Sequence, residues 1–99
     1  MLLNSIPHPI VYSVDAILES DPNRSFVTCP ISGKLMRNPV VASDGVTYDY
    51  DAILRLYLKE ANPESPTCPG VVLDVVNTLQ ADWTTRKRLM RMIQQSKQF

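Results

Sequence analysis

Pro39-Val40-Val41-Ala42-Ser43-Asp44-Gly45-Val46-Thr47-Tyr48 is the stretch on which the fold turns. Pro39 to Ala42 is a short apolar run, Asp44-Gly45 is a strong turn pair, and Val46-Thr47-Tyr48 suits a returning strand. A hairpin is therefore expected from about Pro39 to Tyr48.

Downstream, residues 49–60 carry Ala52, Ile53, Leu56, Tyr57 and Leu58 on one broad apolar stripe at helical spacing. Asp49 or Asp51 sits where the helix dipole favours a negative charge, and Asn62-Pro63 ends the helix. Pro63, Pro66, Pro69 and Gly70 mark a second loop, with Val71-Val72-Leu73 expected as a third short strand. Residues 82–97 read as a final helix capped by Asp82 or Thr84, with Leu89, Met92 and Ile93 on its apolar face.

Upstream, residues 26–38 read as a first loop punctuated by Pro30. In Ile6-Pro7-His8-Pro9-Ile10 alternate prolines remove amide donors and favour extended backbone. Ser13 then caps a short helix with Val14, Ile17 and Leu18 on one face, stopped by Asp21-Pro22-Asn23. Residues 1–23 are thus expected to be an arm that packs on or tethers a main domain over 24–97.

At 99 residues the core is marginal and needs help from a metal, a disulfide or a satisfied polar network. Two cysteines, Cys29 and Cys68, are too few for a disulfide framework. A zinc site normally takes four Cys/His ligands, and His8 is the only histidine, far upstream. No metal site is expected, and reduced thiols in a cytosolic setting are the default. A catalytic thiol would need a basic partner, and Asp49, Asp51 and Glu60 read as a solvated face, so no catalytic residue is expected.

The formal net charge is zero, so charge alone does not make the chain a polyanion binder. Arg86, Lys87, Arg88 and Arg91 read as a solvated helix face, because few stacking aromatics accompany them, and Trp83 as an anchor of that helix. Neither nucleic acid nor membrane is an expected partner; no run approaches the roughly 18 apolar residues of a span, and Met1 to Ile10 lacks the features of a secretory signal.

Phe26-x-x-Cys29-Pro30-Ile31-Ser32, Met36, Pro39-Val40, Asp44-Gly45-x-Thr47-Tyr48 and Ile53 together resemble the U-box family, in order and spacing without a gap from Cys29 to Ile53. Allowing gaps, the likeness runs to about Ile93, about three quarters of the chain. It implies an α+β RING-like fold: a hairpin or three-stranded sheet, a central helix, two long loops and a C-terminal helix. Hydrogen bonds and ion pairs would hold the loops in place of zinc. Ser32, Asp44 and Thr47 are the expected loop-stabilising residues, in a polar set that includes Ser43, Ser65 and Thr67. The resemblance also implies a ubiquitin ligase without cofactor or nucleophile, whose partners are a ubiquitin-loaded conjugating enzyme, ubiquitin and a protein substrate. Carried over by position, the conjugating-enzyme contacts are Ile31 in the first loop, Leu56 in the central helix and Pro66 in the second loop. Family members occur as monomers and as dimers through the helical side, so a homodimer is within expectation.

The chain departs from the family pattern in places. Gly33 stands where some members carry a contacting aromatic, Asn38 where an acid usually precedes Pro-Val, and Pro69 where active members often carry a basic residue that steadies ubiquitin. The second loop is about two residues longer than usual, and Leu79-Gln80-Ala81-Asp82 replaces Leu-Ile-Pro-Asn. These departures favour, as the alternative, a protein-binding or dimerisation scaffold with weak or no transfer. They resemble those of divergent U-boxes, including ones that bacteria inject into host cells; the expected location is the cytoplasm, the host's in that case. The chain ends within a basic helix, so a substrate-binding part is expected further on in a longer protein.

Overall fold

The structure, a computed structural model, describes residues 6–60 and 62–96. Its order is a single 3-10 turn at Val14–Ala16, another at Arg24–Val27, strand β1 (Pro39–Val41), strand β2 (Thr47–Asp49), helix α1 (Tyr50–Lys59), a one-turn helix α2 (Val75–Thr78), strand β3 (Gln80–Ala81) and helix α3 (Trp83–Ser96). The expected α+β architecture is the one observed. Among the described residues no helix is long and apolar enough to cross a membrane.

The hairpin forms where expected, with Val40 opposite Tyr48 and Val41 opposite Thr47. Its turn closes through the Gly45 amide to the Ala42 carbonyl at 3.0 Å, with Gly45 at φ 79°, a conformation that favours glycine. The third strand is a correction. Val71-Val72-Leu73 makes only a bridge from Val72 to Glu64, and Gln80–Ala81 is the strand that pairs antiparallel with β1. The Asp82 amide continues that pairing onto the Pro39 carbonyl at 2.9 Å. Local pattern favoured the Val-rich run, but β1 offers one free edge, and the chain entering α3 takes it.

Two apolar clusters make the core. Cys29, Met36, Val40, Tyr48, Ile53, Leu73 and Leu79 fill the space between sheet, α1 and second loop. Ile17, Val27, Leu35, Leu89, Met92 and Ile93 fill the space under α3, with Ile10 and Tyr12 packed against them. The N-terminal arm therefore contributes buried side chains to the same molecule that the hairpin organises.

Three further expectations fail for identifiable reasons. The residues after Ser13 form one 3-10 turn too short to own a face: Ile17 is buried, while Val14 and Leu18 are exposed. Leu58 is 78% exposed, because it lies five residues beyond the fully buried Ile53, about 140° round the helix. Trp83 is 55% exposed, beside the Arg86 guanidinium, and α3 is anchored by Leu89, Met92 and Ile93 instead.

Candidate functional site

The second loop is joined to the hairpin by a cluster of hydroxyls around one carboxylate. Tyr48 is buried on β2, and its hydroxyl donates to Asp44 Oδ2 at 2.5 Å and lies 2.8 Å from Thr67 Oγ1. The Ser65 hydroxyl donates to the same Asp44 oxygen at 2.6 Å. Ser65 Oγ in turn accepts the amides of Thr67 and Cys68, at 3.2 and 2.9 Å. Asp44 Oδ1 accepts the Val46 amide at 3.0 Å, fixing the turn that carries it. Every buried side-chain polar atom among the described residues has a partner, the condition under which such a network stabilises rather than costs.

The charge state follows from this geometry. Burial alone would push the Asp44 carboxyl up, but the bonds from Ser65, Tyr48 and the Val46 amide outweigh it and hold the carboxyl below its ordinary value. Burial pushes the Tyr48 phenol up, and its bond to the Asp44 carboxylate pushes it further the same way. Asp44 is thus an anion and Tyr48 a neutral donor across the neutral range.

The first loop is held by sulfur and backbone. Buried Cys29 accepts the Asp49 amide on Sγ at 3.3 Å, and its own amide donates to the Lys34 carbonyl at 2.8 Å. Gly33 returns a bond to the Cys29 carbonyl at 2.8 Å and sits at φ 69°. A Cβ at 33 would meet no atom within 4 Å, so backbone conformation rather than space selects glycine there. Asp49 precedes α1 but makes no side-chain cap; Oδ1 accepts the Arg37 and Asn38 amides at 3.2 and 3.0 Å instead. Among the described residues no group of three or more His, Cys, Asp or Glu side chains could hold a metal ion.

Of the residues expected to stabilise the loops, Asp44 occupies the centre of the second-loop network. Ser32 accepts the Lys34 amide at 3.2 Å, a bond internal to the first loop. Thr47 reaches neither loop: its hydroxyl donates to Asp82 Oδ2 at 2.5 Å. Asp82 also accepts the Thr85 amide and hydroxyl, at 3.0 and 2.7 Å, so this pair ties the hairpin to the N-terminus of α3. Burial raises the Asp82 carboxyl, but the Thr47 and Thr85 bonds prevail and hold it low. Tyr48, Ser65 and Asp82 matter more to the scaffold than residue type alone suggested, because the bonds by which they join separate segments span 17 to 35 positions.

Ile31 and Leu56 come together. Half-buried Ile31 packs on the edge of the main core, and with Ala52 and Leu56 of α1 it lines an open cleft of about 650 Å³. Lys34, Arg37, Asp49, Asp51, Arg55 and Lys59 line it as well. The Asp51–Arg55 ion pair at 3.2 Å also lies here; both side chains are well exposed, and such pairs contribute little. Pro66 is exposed on the second loop, outside this cleft. Pro69 is exposed in the turn before Gly70 and offers no donor.

A hairpin and central helix with two long loops pinned by hydrogen bonds define a small α+β module. The U-box domain model matches residues 25–98, and the chain belongs to the U-box family. It is 39% identical over 70 residues to the E3 ubiquitin-protein ligase PUB23 of Arabidopsis thaliana, and 33% identical over 70 residues to the E3 ubiquitin-protein ligase PUB22 of the same plant. These alignments take in 70% and 71% of this chain but only 15% of each relative.

Proposed function

We propose that the chain is a ubiquitin ligase module that docks a ubiquitin-loaded conjugating enzyme and promotes transfer of ubiquitin to a substrate lysine. The observation that carries this reading is the convergence of Ile31 from the first loop and Leu56 from α1 on one open cleft. Apolar groups from separate segments, meeting at a surface and rimmed by charge, suit a protein partner better than a small molecule. Pro66 extends the contact from the second loop, whose position is fixed by the Asp44–Tyr48–Ser65 network. The module supplies no nucleophile. Its contribution is to hold the thioester in a reactive pose, which lowers the entropic part of the barrier.

One observation favours a second reading, a docking scaffold without transfer. Pro69 stands where active family members often carry a basic residue, and it has no side-chain donor with which to steady ubiquitin. The test is a discharge assay with ubiquitin, activating enzyme, ATP and a panel of conjugating enzymes, with Ile31→Ala alongside. Ubiquitin chains or self-modification that disappear in the variant support the ligase. Binding without discharge supports the scaffold, and silence in both binding and discharge from the folded protein removes the ligase reading.

A further inference from the structure

The family match begins at residue 25, yet residues 6–17 are not a loose leader. Ile17 is 3% exposed, within the cluster under α3. Three consecutive residues before β1 receive the arm in register. The Met36 carbonyl accepts the Tyr12 hydroxyl at 2.6 Å, the Arg37 carbonyl accepts the Ile10 amide at 2.8 Å, and the Asn38 side-chain amide donates to the Pro7 carbonyl at 2.7 Å.

Two arginines complete the clamp. Arg37 Nη1 donates to the Tyr12 carbonyl at 2.6 Å, with the guanidinium 4.7 Å from the centre of the Tyr12 ring. Arg86 of α3 donates to the His8 carbonyl at 2.6 Å and to Asn38 Oδ1 at 3.1 Å. Asn38 is therefore a two-way junction, donating to the arm and accepting from α3. An ionised acid, the usual residue at this place in the family, has no hydrogen to give Pro7. The departure from the family pattern at Asn38 and the seating of the arm are one feature.

The clamp brings Pro9 and Val14 to the cleft lined by Ile31, Ala52 and Leu56. Val14 is 52% exposed and takes no part in either core cluster. From this we infer that the arm is a fourth wall of the conjugating-enzyme site, with Val14 and Pro9 as direct contacts that select among conjugating enzymes. The inference rests on the ligase-module reading above. Continuity decides the occupant: a protein seated on Ile31 and Leu56 meets Val14 and Pro9, because all four line one cleft. A wall held by this many bonds is ordered before the partner arrives, so contact with it carries little further entropic cost.

The experiment measures affinity of the whole chain for each member of a conjugating-enzyme panel by calorimetry, comparing wild type, Ile31→Ala, Val14→Asp and Val11→Asp. Val11 is 93% exposed and lies outside the cleft, so its variant controls for a carboxylate added to the arm. Thermal midpoints confirm that each variant folds. The expected result is at least about fivefold weaker binding for Val14→Asp, unequal across the panel, with Val11→Asp at the wild-type value. Loss with Ile31→Ala but wild-type affinity for Val14→Asp would overturn the arm's role and leave the docking cleft standing. Equal weakening by Val14→Asp and Val11→Asp would also overturn it, as a general charge effect. No binding by the folded wild-type chain to any enzyme would remove the docking reading and the inference with it.

Discussion

The Tyr48 hydroxyl lies 2.5 Å from Asp44 Oδ2, joining the buried face of β2 to the turn that precedes it. Through Ser65 and Thr67 the same two residues hold the second loop, so one buried phenol and one carboxylate tie that loop to the hairpin.

Removing that hydroxyl tests the arrangement with little change in packing. Tyr48→Phe keeps the ring among Met36, Ile53 and Leu79 and deletes the bonds to Asp44 and Thr67. Stability should fall by about 1.5–3 kcal/mol, the range for hydrogen bonds to a charged group. Urea unfolding measures it. Amide exchange of Thr67 and Cys68 should quicken in the variant; a wild-type denaturation midpoint would show that Ser65 alone carries the loop.

Acid should loosen the fold through Asp44 and Asp82, whose folded-state pKa values lie below the ordinary carboxylate value of about 3.9. The unfolded chain then binds more protons than the folded one in this window, so stability rises with pH there. The contribution is complete well above pH ~4 and is lost as pH falls through the depressed folded-state values. Unfolding free energies from pH 6 to pH 2.5 should show this decline. A variant with Asp44→Asn and Asp82→Asn should be less stable at pH 6 and lose less on acidification; an equal loss would place the acid sensitivity elsewhere.

Asn38→Asp exchanges a donor for a carboxylate facing the Pro7 carbonyl at 2.7 Å, while the partner across it, Arg86, still finds an acceptor. The expected cost is about 1–2 kcal/mol, confined mostly to the arm. Hydrogen exchange should show the Ile10 amide losing protection while hairpin amides keep theirs. Unchanged protection at Ile10 would mean that Arg37 and Tyr12 suffice to seat the arm.

A chelator should leave the protein untouched. The Cys29 thiol is engaged by the Asp49 amide, and the second loop is held by hydroxyls and a carboxylate. The thermal midpoint with excess EDTA should match that without it, and denaturation should release no zinc to a colorimetric dye. A fall of more than about 4 °C, a loss of roughly 0.5 kcal/mol or more, would reveal a stabilising metal.

Much of the framework was legible in local pattern. Asp44-Gly45 set the hairpin turn, the spacing from Ala52 to Tyr57 set α1, and Leu89, Met92 and Ile93 set the buried face of α3. Each is a statement about neighbours within a few residues, where backbone conformation and side-chain period act directly. The run from Cys29 to Ile53 also carried the family. Local pattern misled at Val71-Val72-Leu73, because strand formation needs a partner edge, and which segment receives the edge of β1 is settled by the path of the whole chain.

What the sequence by itself determined, then, was the kind of scaffold: a hairpin, two helices, two proline-marked loops and too few ligands for zinc. Tertiary structure alone decided the pairings. Tyr48 meets Ser65 and Thr67, Thr47 turns away from the loops to Asp82, Ile31 and Leu56 line one cleft, and Asn38 joins Pro7 to Arg86. A hydroxyl or amide of given type can satisfy many partners equally well. Which one it receives depends on segments up to 78 residues apart being brought within about three ångströms, and only the packed core imposes that.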